Sequence, residues 1–468
     1  MKIRFVTLGC KLNFAESSAI GKALLQRGHT RAKQGEEADI CVINTCSVTD
    51  NADHKDRQTI HRIHRQNPNA IIIVTGCYAQ LQPEQIAQIE GVDYVLGQNE
   101  KYEITQLVDD IERLRDSLED ASLQDAASGY SLEAQRREAK GERQDGKIHV
   151  CAIREVEEFH GAYSKDDRTR CFLKVQDGCN YFCTYCTIPY ARGKSRNPKI
   201  EEVVKDAQEA ISQGAKEIIL TGVNIGDFGR STGESFLELL RALDGLENGV
   251  SPTGRSQSEL QVIGKSLEAK GMDYRIRISS CEPNLLTDEI IDFVAQSKHF
   301  APHFHIPLQS GSNEVLSIMK RRYTRELFEE RVQHIKQVMP HAFIGVDCMV
   351  GVRGETEECF NDYVDFIKRL DVSQLHVFTY SERANTRMLE LDVCIVPKAE
   401  RQRRSKILHE ISEEKTQTFY AKQAGREAIV LWESKKEGDQ MAGFTENYVK
   451  VYRPYDKAKV NTFEVIRL

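Results

Sequence analysis

Residues 179–186 read Cys-Asn-Tyr-Phe-Cys-Thr-Tyr-Cys and follow an apolar run, Phe172–Gln176, and a turn at Asp177-Gly178. Cysteines spaced four and three residues apart can bind one face of an iron–sulfur cube and leave the fourth iron open for a ligand. A structural zinc site is the alternative, although it would need a fourth Cys or His, and none lies nearby in the sequence. The spacing favours a catalytic iron–sulfur cluster on Cys179, Cys183 and Cys186.

Apolar runs alternate with helical patterns from about residue 169 to residue 397. Six such βα units predict an α/β fold with a partial (β/α)6 TIM-like barrel, and barrel chemistry gathers at the carboxyl ends of the strands. We expect this domain to span 169–419, with a surface insertion at 248–271. The predicted strands are Phe172–Gln176, Glu217–Thr221, Tyr274–Ser279, His303–Leu308, Phe343–Val350 and Gln374–Tyr380.

The same alternation between Lys2 and Arg115 predicts a parallel α/β sheet domain at 1–116. Cys10, Cys46 and Cys77 each lie just past a predicted strand of this sheet. The carboxyl ends of parallel strands share one edge, and neighbouring strands lie about 4.8 Å apart. The three thiols therefore predict a second metal site, with ordinary buried cysteines as the alternative.

The remaining composition narrows the class of protein. Thirteen cysteines, an odd number, favour metal or redox chemistry over a disulfide scaffold. No apolar run reaches the roughly 18 residues of a membrane span, and the N-terminus lacks a signal-peptide pattern, so we expect a cytoplasmic protein without a membrane partner. The net charge of −7 does not by itself indicate a nucleic-acid binder.

Two further segments flank the barrel. Residues 117–168 are rich in charged and small residues and are interpreted as a linker. Residues 420–468 contain four short strand patterns, which predict a small β-barrel. This tail combines cations and aromatic rings that suit single-stranded RNA, with a solvated face as the alternative. Those residues are Tyr420, Lys422, Arg426, Lys450, Tyr452 and Arg453.

Several motifs together resemble the methylthiotransferase family of radical S-adenosylmethionine (SAM) enzymes. TLGCKLN at 7–13, NTCSVT at 44–49 and TGCYAQ at 75–80 are similar to the three motifs of its N-terminal domain. The region 178–196 resembles its radical SAM motif, and GFTENY at 443–448 resembles its RNA-binding TRAM domain. TGVNIG at 221–226 and HVFTYSER at 376–383 are most similar to the branch that acts on N6-threonylcarbamoyladenosine at position 37 of tRNA.

The resemblance implies a reaction that uses two 4Fe-4S clusters and two SAM molecules. The cluster on Cys179, Cys183 and Cys186 would reduce SAM, and the resulting radical would remove hydrogen from carbon 2 of the adenine. The cluster on Cys10, Cys46 and Cys77 would supply sulfur, and the second SAM the methyl group. Polar residues at other strand ends are predicted SAM contacts, with turn capping as the alternative. They are Asn224, Ser280, Glu282, Gln309 and Ser310.

The implied partners are the tRNA anticodon stem-loop with its adenosine at position 37 and an electron donor such as flavodoxin or ferredoxin. Sister branches of the family leave two alternatives open, methylthiolation of isopentenyladenosine in tRNA or of a ribosomal-protein aspartate. A non-catalytic, RNA-binding iron–sulfur redox sensor is the alternative from a different class.

Overall fold

The structure is a computed structural model that describes residues 1–33, 35–124, 147–164, 169–246 and 273–468, without the side chains of 118–124. The described residues form two compact units. The first comprises Met1–Glu158, Gly178–Asn180 and Cys186–Lys194. The second comprises Phe159–Asp177, Tyr181–Tyr185 and Ser195–Leu468. Half of the predicted linker and all of the predicted insertion at 248–271 lie outside the described residues.

The first unit contains the predicted parallel sheet, in the order β2-β1-β3-β4-β5-β6. Its central strands β3 and β4 are almost fully buried and rich in Ile and Val, as expected for parallel strands covered on both faces. The strands are β1 Lys2–Thr7, β2 Thr30–Arg31, β3 Ile40–Thr45, β4 Ile71–Gly76, β5 Tyr94–Leu96 and β6 Ile148–His149.

Helices connect these strands and cover the sheet. Apolar side chains of the helices that follow β1 and β5, among them Ile20 and Val108, pack with Ile40 and Val42 of β3 in one core cluster. Thr49 caps the second helix by accepting a hydrogen bond from the amide of Ala52 at 3.1 Å. The helices are α1 Lys11–Gln26, α2 Asp50–Gln66, α3 Cys77–Leu81, α4 Pro83–Ala87, α5 Ile104–Gln124 and, from the cysteine motif, α6 Ile188–Arg192.

The second unit contains the six predicted barrel strands in chain order. One parallel sheet has the order β10-β9-β8, with short β7 antiparallel to β8, and another has the order β11-β12-β13. Isolated bridges from Ile276 to Phe300 and from Ser280 to His305 join the two sheets. The strands are β7 Ala162–Tyr163, β8 Arg170–Lys174, β9 Glu217–Thr221, β10 Arg275–Ile278, β11 His303–Gln309, β12 Phe343–Val350 and β13 Gln374–Thr379.

Amphipathic helices pack around these strands. Serine or threonine side chains accept backbone hydrogen bonds at the start of four of them, which satisfies amides that have no partner within the helix. The helices are α7 Ile200–Ser212, α8 Phe236–Asp244, α9 Asp288–Gln296, α10 Asn313–Ile318, α11 Arg325–Val338, α12 Glu357–Arg369 and α13 Lys398–Ala421. In the described parts of the chain, every helix is too short or too polar to cross a bilayer.

The tail forms an antiparallel sheet in the order β16-β15-β14-β17, consistent with a small TRAM-like β domain. It packs on the amino ends of the barrel strands, where two buried arginines of the barrel donate hydrogen bonds to it. Arg275 and Arg277 both pair with Glu217, and their guanidinium groups also donate to carbonyl oxygens of the tail, including those of Ile429 and Glu446. The strands are β14 Glu427–Glu437, β15 Gln440–Phe444, β16 Lys450–Pro454 and β17 Phe463–Arg467.

Candidate active site

The first predicted cysteine trio lies at one edge of the N-terminal sheet. Strands β1, β3 and β4 are neighbours, with Thr7 opposite Asn44 and Thr45 opposite Gly76. Cys10, Cys46 and Cys77 therefore follow the carboxyl ends of three adjacent parallel strands, as the sequence predicted. Their role as metal ligands stays a prediction.

The three thiols lie close enough to influence one another electrostatically. Cys46 and Cys77 are buried, whereas Cys10 is exposed. Burial raises the pKa of the Cys46 thiol to about 12, and the charges of Cys77 and Cys10 add to this rise. A metal binds the thiolate, so occupation of this site would displace protons from the thiols.

Two glycines permit the close approach of backbone at this edge. Gly9 has a φ of +95°, and a Cβ atom there would lie 2.6 Å from Cβ of Cys46 and 3.0 Å from its Sγ. Gly76 has a φ of +101°, and a Cβ atom would lie 2.4 Å from the carbonyl oxygen of Thr45. A side chain at either position would strain the backbone, and at Gly9 it would also fill the space beside the Cys46 thiol. The space that a side chain at Gly9 would fill fits a group bound by that thiol.

A buried charged network lies next to Cys77. Glu16 pairs with Lys101 at 2.7 Å and with Arg192 at 3.1 Å, and Arg192 also donates to Oδ1 of Asn13 at 2.6 Å. All four side chains are buried. Burial raises the pKa of the Cys77 thiol, and the positive charges of Arg192 and Lys101 oppose that rise. Two cations for one carboxylate make this edge suitable for an anionic metal–thiolate group.

The second cysteine trio is divided between the two units. Cys179 and Cys186 belong to the first unit, where the Cys179 amide donates to the Gly193 carbonyl at 3.0 Å. Cys183 belongs to the second unit and is buried. Among the described residues, no three His, Cys, Asp or Glu side chains converge closely enough to hold a single metal ion. Ligation of a cube by these cysteines stays a prediction.

Cys183 contacts an arginine that the sequence did not indicate. Nη1 of Arg321 lies 3.2 Å from Sγ of Cys183, and Nη2 of Arg321 pairs with Glu282. Burial raises the pKa of the Cys183 thiol, and the charge of Arg321 opposes that rise. Glu282, a predicted SAM contact, is thus held beside Cys183 by a shared cation.

Asn224, another predicted SAM contact, lies in a turn that a buried glutamine holds. Oε1 of Gln176 accepts hydrogen bonds from the amides of Val223 at 2.9 Å and Asn224 at 2.8 Å. The Asn224 side chain is buried, and neither of its polar atoms forms a hydrogen bond of ordinary geometry with the described residues. Burial raises the pKa of Tyr181, and the amides of Asn284 and Asn224 oppose that rise. Asn224 therefore offers a buried donor and acceptor near Tyr181 for a polar ligand.

The remaining predicted SAM contacts differ in their surroundings. Ser280 takes part in a hydrogen-bonded chain, because its hydroxyl lies 2.8 Å from Nδ1 of His305. Gln309 has a φ of +64°, and its carbonyl oxygen accepts from the Tyr363 hydroxyl at 3.2 Å. Ser310 is fully buried, and its hydroxyl accepts from the amide of Ser312 at 3.2 Å. The Ser310 hydroxyl is thus already engaged by the backbone of its own turn, whereas the Ser280 hydroxyl contacts the His305 side chain.

The cations of the tail are largely paired with carboxylates. Lys450 pairs with Glu437 at 3.1 Å, and Arg453 pairs with Glu464 at 2.6 Å. Arg426 pairs with Glu446, and Lys422 pairs with Asp371 at 3.2 Å. Tyr420 and Tyr452 remain exposed. Nζ of Lys450 also lies 4.7 Å from the centre of the Tyr452 ring, and RNA binding by this surface stays a prediction.

Two family models match the chain. Residues 2–97 match the model described as uncharacterized protein family UPF0004, which covers the unit with the first cysteine trio. Residues 173–367 match the radical SAM superfamily, which includes all three cysteines of the second trio. Membership of that superfamily implies SAM and a 4Fe-4S cluster.

Curated relatives extend over nearly the whole chain. The threonylcarbamoyladenosine tRNA methylthiotransferase MtaB of Bacillus subtilis is 36% identical over 96% of this chain and 89% of the relative. MtaB of Aquifex aeolicus is 33% identical over 97% of both chains. A tRNA-2-methylthio-N(6)-dimethylallyladenosine synthase of Pelotomaculum thermopropionicum is 30% identical over 95% of this chain and 88% of the relative.

A solved structure is similar in fold. The radical SAM methyltransferase TsrM of Kitasatospora setae matches with a TM-score of 0.50 and 13% identity, over 80% of this chain and 72% of that chain. At this identity the likeness concerns the fold alone. From the full-length relatives and the two family models, the chain belongs to the MtaB-type branch of the radical SAM tRNA methylthiotransferases.

Proposed function

We propose that the chain attaches a methylthio group to carbon 2 of N6-threonylcarbamoyladenosine at position 37 of tRNA, with two SAM molecules and two 4Fe-4S clusters. The observation that carries this proposal is the position of Cys10, Cys46 and Cys77 at the ends of three adjacent strands, in a chain that also has the radical SAM motif. One cysteine trio would account for SAM cleavage. A second trio is what sulfur delivery requires.

A cube on Cys179, Cys183 and Cys186 supplies, when bound, the one-electron chemistry that an unactivated C–H bond requires. The residues of this chain bind and orient the reactants. Gln176 fixes the turn that carries Asn224, whose buried side chain offers a donor and an acceptor to a polar ligand. Ser280 and Glu282, both at the end of β10, offer acceptor oxygens for the ammonium or ribose hydroxyls of SAM.

In the N-terminal unit, Gly9 keeps the space beside the Cys46 thiol free of a side chain, as a cluster on Cys10, Cys46 and Cys77 would require. Arg192 and Lys101 provide fixed positive charge beside Cys77, which stabilises thiolate in a buried site where desolvation otherwise favours the thiol. Burial of Cys46, Cys77 and this charged network limits the access of water to these two sulfur atoms, which protects a reactive intermediate from side reactions.

The nearest competing substrate is isopentenyladenosine in tRNA, because relatives named as tRNA-2-methylthio-N(6)-dimethylallyladenosine synthases are 28–30% identical. The relatives named MtaB reach 36% and 33% identity and favour threonylcarbamoyladenosine. Either substrate presents carbon 2 of an adenine, so the same cluster chemistry serves both.

Mass spectrometry of tRNA nucleosides from a strain without this gene distinguishes the substrates. The proposal predicts loss of methylthiolated threonylcarbamoyladenosine, accumulation of its unmodified precursor, and recovery when the gene is restored. An unchanged level of that nucleoside, with loss of methylthiolated isopentenyladenosine instead, would contradict the substrate assignment. Restoration with a Cys183→Ala variant serves as the inactive control.

A further inference from the structure

We propose that Arg321 is a positioning residue that, together with Glu282, sets the reduction potential of the cluster bound at Cys183. This inference rests on the proposed function, because it takes Cys183 as a cluster ligand. Arg321 lies outside the cysteine motif, 138 residues along the chain from Cys183. It would therefore influence electron transfer to the cluster without being a cluster ligand.

Every nitrogen of the Arg321 guanidinium has a partner in the described structure. Nη1 donates to Sγ of Cys183 at 3.2 Å and to the Tyr185 hydroxyl at 3.3 Å, and Nη2 pairs with Glu282. Nε donates to the Tyr323 hydroxyl at 3.1 Å. The side chain is only 4% exposed, so these contacts are shielded from solvent.

The orientation of Arg321 is fixed independently of any bound cluster. The Tyr323 hydroxyl, which accepts from Arg321, donates in turn to the carbonyl oxygen of Pro307 at 2.6 Å. The guanidinium carbon also lies 4.9 Å from the centre of the Tyr323 ring. These contacts with Tyr323 orient the planar guanidinium toward Cys183 before any cluster binds. A lysine could not reproduce its set of donors.

Reduction of a bound cube adds one electron and no proton, and therefore one negative charge. The electron would come from a low-potential one-electron donor, for which dithionite substitutes in the cuvette. Hydrogen bonds to the ligating sulfurs and nearby charge are established determinants of the potential of such clusters. The Arg321 cation should stabilise the reduced state, and the Glu282 carboxylate should oppose it.

The two residues therefore have opposite predicted effects. Loss of the cation by Arg321→Met should move the midpoint potential in the negative direction. Loss of the carboxylate charge by Glu282→Gln should move it in the positive direction. Arg321→Lys keeps the charge without the planar fork and should give an intermediate value. A purely structural role for this ion pair would not produce shifts of opposite sign.

The test is an anaerobic redox titration followed by electron paramagnetic resonance, without SAM. The background is a Cys10→Ala, Cys46→Ala and Cys77→Ala protein, so that a single cluster contributes to the signal. Arg369→Met, which removes a surface arginine paired with Glu329 at 3.4 Å, is the matched control and should leave the potential unchanged. Iron content is measured for each variant before titration.

Unchanged potentials in Arg321→Met and Glu282→Gln, or shifts of the same sign, would overturn the inference. If Arg321→Met fails to bind iron, Glu282→Gln and Arg321→Lys decide it: a positive shift in the former and a negative shift in the latter support the inference, and no shift in either overturns it. A background protein that binds no cube would instead contradict the proposed role of Cys179, Cys183 and Cys186.

Discussion

The hydroxyl of Ser280 lies 2.8 Å from Nδ1 of His305, at the point where strand β10 meets strand β11. Nε2 of His305 lies 2.8 Å from Oδ1 of Asp347 on the next strand. In the neutral imidazole, Asp347 keeps the proton on Nε2, so Nδ1 accepts the hydroxyl proton of Ser280. Ser280 Oγ then has its lone pairs left as acceptors for a donor group.

This arrangement predicts a role for His305 in SAM binding. His305→Phe removes the acceptor that orients Ser280, and one hydrogen bond is worth about 1 kcal/mol, so the dissociation constant for SAM should rise by roughly fivefold. Isothermal titration calorimetry on cluster-loaded protein measures this constant. Asp347→Asn keeps an acceptor oxygen and should have a smaller effect. An unchanged affinity in His305→Phe would exclude Ser280 as an oriented contact.

Gly76 is predicted to be essential for the cluster at the N-terminal sheet. Gly76→Ala would place Cβ 2.4 Å from the Thr45 carbonyl oxygen at a φ of +101°, which must displace the start of α3 and with it Cys77. The cost should exceed the roughly 1–2 kcal/mol of left-handed strain alone. Iron content should fall by about half while SAM cleavage persists.

The control for Gly76 is Gly28, which has a φ of +92° but no atom within 4 Å of a built Cβ. Gly28→Ala should introduce the same backbone strain of a positive φ but no steric clash of the new Cβ. The iron content of this variant should match that of the unsubstituted protein. Equal iron in Gly76→Ala and Gly28→Ala would mean that the close approach at Thr45 does not matter for the cluster.

Glu217 is predicted to stabilise the second unit in a pH-dependent way. Burial raises its pKa, but Arg275 and Arg277 more than offset this and hold the pKa at about 2. Because the folded pKa lies below the usual value of 4.5, the stabilisation is complete above about pH 4.5 and is lost as the pH falls toward 2. Glu217→Gln leaves two buried arginines without their carboxylate, at a cost of about 3 kcal/mol near pH 7.

Thermal unfolding of both proteins at pH 7 and pH 3 tests this. The variant should melt well below the unsubstituted protein at pH 7, and the gap should narrow at pH 3. Any loss of clusters in acid affects both proteins and cancels in the comparison. A gap that is equal at both pH values would contradict the assignment of the charge to Glu217.

The sequence predicted the elements that have strong local patterns. Strands Glu217–Thr221 and Phe343–Val350 were predicted with the observed bounds, because buried β-branched runs between turn residues are distinctive. Helix α1 begins at Lys11, and its N-cap residue Cys10 makes no side-chain capping hydrogen bond. A cysteine at that position carries no capping signal in sequence.

Other features depend on tertiary contacts that no local pattern reveals. Strand β6, Ile148–His149, has only two residues and is defined by its pairing with β5. A strand this short has no recognisable sequence pattern, and the sequence therefore assigned these residues to the linker. The cysteine positions could be predicted from strand ends. Arg321 and His305 could not, because each acts through partners far along the chain. Sequence motifs therefore indicate candidate ligand residues more readily than the residues that orient them.

Iron analysis combined with product analysis on oxygen-free protein shows whether the chain binds two clusters on two cysteine trios. We expect about eight irons per chain, and a Cys46→Ala protein with about half the iron that still forms 5′-deoxyadenosine from SAM but no methylthiolated tRNA. Cys183→Ala should lose both products. A preparation that contains only zinc or a single cube, or a Cys46→Ala protein that still methylthiolates tRNA, would rule out two clusters with separate roles.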